Sequence, residues 1–95
     1  MSYLNYKISD ATCFDWFVNE NHEEAVVCSQ PGNSEAVLIQ TSASIWGTLS
    51  DSYQALDSIV AAVASNYELS ATEVFNEVKS TLETLASHGL LDVSH

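Results

Sequence analysis

The stretch Ala36-Val37-Leu38-Ile39-Gln40-Thr41-Ser42-Ala43-Ser44-Ile45-Trp46-Gly47-Thr48-Leu49 contains a change of period. Up to Gln40 the apolar residues fit an extended segment, whose successive side chains point to opposite faces. Beyond it, Ile45, Trp46 and Leu49 recur at the spacing of one helical face, with Thr41 or Ser42 as candidate N-cap. The chain is therefore expected to divide near Gln40, with strands before it and helices after.

Working outward to the N-terminal side, the runs Thr12 to Val18, Glu24 to Ser29 and Glu35 to Gln40 are rich in aromatic and β-branched residues. They are separated by Asn19 to Glu23 and by Gln30-Pro31-Gly32-Asn33-Ser34, where proline presets one dihedral and glycine and asparagine tolerate positive φ. A three-stranded antiparallel meander over 12–40 follows. A first hairpin symmetric about Glu20 and Asn21 sets Cys13 opposite Cys28 and Phe14 opposite Val27. A second, centred near Gly32 and Asn33, sets Val27 opposite Leu38. One face then carries Phe14, Trp16, Val18, Val27 and Leu38, and the other Cys13, Phe17, Val26, Cys28, Val37 and Ile39. Both are partly apolar, so each invites a cover where a simple meander would leave one face wet.

Towards the C-terminus, a three-helix part is expected over 41–91. The second helix, Ala55 to Asn66, aligns Leu56, Ile59, Val60, Val63 and Tyr67. The third opens with Ser70-Ala71-Thr72-Glu73, which fits a capping box, and carries the stripe Val74, Val78, Leu82 and Leu85. Gly89 offers a left-handed stop, with Leu90 and Leu91 folding back on the last turn. Loose ends are expected at 1–10 and 92–95. The motif residues Leu38, Ile45, Trp46, Leu49, Leu82 and Leu85 should share one core, with Phe14 also placed there.

With 95 residues, thirteen acidic and two basic, the formal charge is −11. That describes one acidic globular domain, too small for a deep two-lobed cleft. Lys7 and Lys79 supply no stripe to neutralise phosphates, which argues against nucleic acid and anionic membranes as partners. Ile59 to Ala64 falls far short of the roughly 18 to 20 apolar residues of a membrane span, and the N-terminus has no signal-like apolar core. A cytoplasmic protein is expected, with Cys13 and Cys28 as space-filling thiols.

Leu38-Ile39-Gln40-Thr41-Ser42-Ala43-Ser44-Ile45-Trp46 followed by Leu49 resembles the Leu-Asn-x-Thr-small-Ala-x-Ile-Trp-x-x-Leu signature of PqqD-like proteins, whose fold is also called the RiPP recognition element. Leu82-Glu83-Thr84-Leu85-Ala86-Ser87-His88-Gly89-Leu90-Leu91 is similar to that family's Leu-x-x-Leu-x-x-x-Gly-Leu-Leu close. The likeness covers about 80 of the 95 residues when the hairpins are counted. Two positions depart from it: Ile39 stands where asparagine is usual, and Asp51 where glycine is usual after the first helix. The resemblance implies an α+β, winged helix-turn-helix-like domain with one three-stranded antiparallel sheet followed by three helices. It also implies a chaperone that captures the leader of a ribosomally made precursor peptide and delivers it to a modifying enzyme or protease of the same natural-product pathway. The leader would add as a strand to the third strand, a form of β-augmentation. Glu35, Val37, Ile39 and Gln40 would supply the edge, and Phe75, Lys79 and Leu82 the facing side of the third helix. No lysine or proline protects that edge.

Other readings are weaker. Leu56-Asp57-Ser58 resembles a carrier-protein attachment site, but strands precede it and Ser58 is expected to be a solvent-facing helical residue. Cys13, Cys28, His22, His88 and His95 lack close metal-ligand spacing, and no nucleophile elbow or phosphate loop is present, so neither metal, cofactor nor catalysis is expected. Trp16, Phe17 and Phe75 divide between core and binding roles. Glu73, Glu77 and Glu83 form a solvated helix face, whose field would favour basic or neutral peptides and repel acidic ones, and DNA with them. The alternative function is a small acidic adaptor or enzyme subunit that binds no leader.

Overall fold

The computed structural model describes residues 4–32 and 35–94; Asn33 and Ser34 of the expected second turn lie outside them. The elements in chain order are β1 (Asn5–Ile8), β2 (Cys13–Val18), β3 (Glu24–Ser29), β4 (Ala36–Ile39), α1 (Gln40–Gly47), β5 (Gln54–Ala55), α2 (Leu56–Tyr67), α3 (Ala71–Ser87) and β6 (Leu91–Ser94). The fold is α+β, with two antiparallel three-stranded sheets in place of the single one expected: β2-β3-β4, and β5-β1-β6.

The second sheet is made from segments that look loose in sequence. β1 pairs with β6 from Asn5 opposite Ser94 to Ile8 opposite Leu91, and its other edge takes up β5. Tyr6, Ile8 and Leu91 are buried beneath it. Lys7 lies 3.4 Å from Asp10 and 3.8 Å from Asp92, on the polar side of the same strand.

In the meander β2 and β4 present the expected faces, but β3 is inverted relative to both. Cys13 opposes Ser29, Phe14 opposes Cys28, Val26 opposes Leu38 and Val27 opposes Val37. The first turn explains this. It is an odd, five-residue loop in which the Asn19 side chain accepts from the amides of Asn21 and Glu23, while His22 takes a left-handed φ of 63°. Centring the turn on Asn21 moves the register by one residue, and a one-residue slip exchanges the faces of a strand. The inner face therefore holds Phe14, Trp16, Val26, Cys28, Ala36 and Leu38. Asp15, Phe17, Ala25, Val27, Val37 and Ile39 lie on the outer face.

The helices carry the inner face. Ile45, Trp46, Leu49, Ile59, Val63, Val74, Val78, Leu82 and Leu85 join Val26 and Cys28 in one core, with Leu38 packed against it and partly buried. Phe14 keeps 40% exposure but sets its ring edge-on to Trp46 at 5.4 Å. Trp16 lies over Gly47, close enough that a Cβ there would sit 3.6 Å from the indole. At α3 the start and stop lie where expected, with the Ser70 half of the capping box formed. Ser70 Oγ accepts from the Glu73 amide, and Gly89, at φ 79°, forms a Schellman close in which Leu90 N donates to Leu85 O and Gly89 N to Ala86 O. α2 closes in the same way with Glu68 as the left-handed residue. α1 differs from expectation: it begins at Gln40, with Ile39 at the N-cap and no side-chain cap bond.

Candidate functional site

β4 has one ladder partner, β3, and is the terminal strand of its sheet among the described residues. Its other edge faces a groove of about 230 Å³ lined by Leu38 from the strand, Ser42 from α1, and Ser80, Thr81, Thr84 and Leu85 from α3. The floor is apolar: Leu85 is buried and Leu38 half-buried. Four hydroxyl side chains form the walls. Glu77, exposed and three and four residues before Ser80 and Thr81, continues this helix flank with negative charge.

The residues singled out from sequence are dispersed around this groove. Glu35 is exposed and directly precedes β4. Val37 and Ile39 border the same edge but lie on the outer face, 57% and 47% exposed. Gln40 has turned into α1 with a φ of 53° and lines a different hollow, with Trp16, Glu24, Ala43, Ser44, Gly47 and Asn66. Leu82 has no exposed surface and belongs to the core. Phe75 lines a cavity shared with α2, beside Asp57, Val60 and Thr72, and Lys79 follows one turn later on that flank. Phe75 and Lys79 are thus turned away from β4. The helix residues that do flank the strand, Ser80, Thr81 and Thr84, are absent from the sequence-based set. A stripe such as Val74, Val78, Leu82 and Leu85 defines which side of a helix is buried; it is silent on which of the two flanks meets a particular strand.

Cys28 is buried, which pushes its thiol up to about 11, whereas Cys13 is exposed. The two lie on opposite faces of the sheet and neither is in a disulfide. Among the described residues no group of three or more His, Cys, Asp or Glu side chains is arranged to hold a metal ion. Ser58 is exposed in the first turn of α2, nearer a helix start than expected but preceded by strands. No helix among the described residues is long and apolar enough to cross a membrane.

A meander whose last strand runs directly into the first of three helices, with an apolar-floored groove beside that strand, defines a small α+β domain. The family model for Coenzyme PQQ synthesis protein D (PqqD) matches residues 24–91, from the start of β3 to the first residue of β6. The chain belongs to that family. No curated protein and no solved structure matches it.

Proposed function

We propose that this domain binds the leader of a ribosomally made precursor peptide by strand addition at β4 and presents it to the enzyme or protease that acts on it. The observation carrying this reading is the edge of β4, which pairs with no strand among the described residues and lies beside the groove of Leu38, Ser42, Ser80, Thr81, Thr84 and Leu85. Family membership supports a role in coenzyme synthesis or peptide modification. The winged helix-turn-helix-like arrangement and a cytoplasmic setting are part of the same proposal, as is a role in binding rather than catalysis.

Main-chain hydrogen bonds to β4 would give affinity and register, while every second peptide side chain entered the groove. There it would meet a narrow apolar floor and hydroxyl walls, a lining suited to small or hydrogen-bonding side chains. The charge of −11 would raise the local concentration of basic leaders and repel acidic ones.

A proline scan through Glu35 to Ile39, read by titration with the precursor peptide and by circular dichroism, tests the reading. In an antiparallel ladder alternate residues direct their N–H towards one neighbour or the other. Proline at positions facing β3 should unfold the sheet; at the intervening positions it should abolish peptide binding and leave the fold intact. Equal peptide affinity in every folded variant would refute strand addition.

A further inference from the structure

The outer face of β2-β3-β4 carries two apolar rows across the strands, Phe17-Ala25-Ile39 and, next to them, Val27-Val37 beside Asp15. Ala25 has no exposed surface between its larger neighbours, whereas Phe17, Ile39 and Val37 are 40%, 47% and 57% exposed. Helices cover the inner face of the same sheet along β3, at Val26 and Cys28, whereas no element among the described residues buries Phe17, Val37 or Ile39 on this one. Ile39 adds a second point. It occupies the N-cap of α1, a position favouring Asn, Asp, Ser or Thr, yet makes no side-chain cap bond and leaves nearly half its apolar surface in solvent.

Charge decides what can cover such a face. Asp15 lies on this face, Glu35 directly precedes β4, and Glu20 and Glu23 sit in the loop at its end, while residues 13–39 hold no lysine or arginine. A second copy would bring the same apolar rows but also the same acidic rim, opposing like charge to like charge. A surface with an apolar centre and a basic rim is complementary on both counts. We infer that this face docks a protein of that chemistry, the peptide-modifying enzyme, and that a bound leader strand completes the docking surface.

The second part rests on the strand-addition reading. A strand added at β4 continues both faces of the sheet, so side chains alternate with those entering the groove and emerge beside Val37 and Ile39. The enzyme would then touch domain and peptide together, and by linkage each would tighten the binding of the other.

The test uses the full chain with a candidate precursor peptide and a candidate peptide-modifying enzyme from the same genome, each purified. Phe17→Ser removes an apolar contact and Asp15→Lys reverses a charge, both on β2, roughly 14 Å from a strand added at β4 and so out of reach of the leader. Phe17→Ser should weaken enzyme binding by at least about tenfold while leaving leader affinity unchanged. Asp15→Lys should weaken it less and flatten its salt dependence. Native-like melting of both variants separates docking from folding. Unchanged enzyme affinity in both would overturn the inference, as would sedimentation of the wild-type chain as a dimer that Phe17→Ser dissociates. If instead the leader fails to bind but Phe17→Ser still abolishes enzyme binding, strand addition fails and the docking face stands.

Discussion

Leu82→Ala separates the two roles the sequence suggests for that residue, one in the core and one in a peptide-binding groove. Leu82 has no exposed surface and lies in the core with Val78, Leu85, Ile45 and Trp46. Truncating a leucine in such a setting removes its transfer free energy and leaves a cavity that its neighbours only partly fill, together about 3 to 5 kcal/mol. A domain of 95 residues has about 5 to 14 kcal/mol in total, so the variant should lose between a quarter and most of its stability. A loss of 3 to 5 kcal/mol corresponds to a fall in melting temperature of roughly 12 to 40 °C. Urea unfolding followed by tryptophan fluorescence would read the midpoint, with helix content by circular dichroism as the second probe. The matching substitution is Thr84→Trp, which fills the groove from an exposed position. It should leave stability within about 0.5 kcal/mol and lower peptide affinity. If Leu82→Ala loses less than about 1 kcal/mol and weakens the peptide while Thr84→Trp does not, the groove runs over Leu82 and the assignment of α3 flanks is refuted.

Ile39→Asn should raise stability by about 1 kcal/mol, because asparagine can accept from the uncapped amides of α1; an unchanged denaturation midpoint would show that those amides gain nothing from it. Glu68→Gly should be neutral to stabilising by up to about 1 kcal/mol, since Glu68 closes α2 at a φ of 56°, where a Cβ is crowded; a clear loss of stability would contradict that geometry. In the native protein at pH 8 a thiol reagent should modify Cys13 alone, with Cys28 reacting only on unfolding; two rapid equivalents would show that Cys28 is accessible. The Cys28 thiol is raised in the folded state, from 9.0 to about 11, so its contribution to stability is complete below pH 9 and lost as pH rises through about 11. The alkaline fall in denaturation midpoint over that window should therefore be smaller in Cys28→Ala.

Much of the fold is legible in the sequence where the signal is local. The change of period at Gln40, the Ser70 cap and the Gly89 stop depend on contacts a few residues apart, and each appears in the structure within a residue or two of its expected place. The motif residues Ile45, Trp46, Leu49, Leu82 and Leu85 are buried together as their spacing indicates, and β4 ends its sheet as a meander requires. Ser80, Thr81 and Thr84 carry no such signal, because short polar residues on a helix surface look alike whichever neighbour they face.

Tertiary structure decided three things. The faces of β3 depended on whether the first loop counted an even or odd number of residues, and the Asn19 side chain, bonded to two amides within the loop, favours the odd one. The second sheet joins segments more than eighty residues apart: Tyr6 and Val93 become strand partners because burying Tyr6, Ile8 and Leu91 together outweighs closing so long a loop. The docking of α3 set which of its flanks lies along β4. The sequence by itself determined β2, β3, β4 and the three helices in their order, since periodicity and caps act within a few residues. Which surfaces meet to make a groove was decided only in three dimensions, where register, handedness and long-range pairing are fixed together.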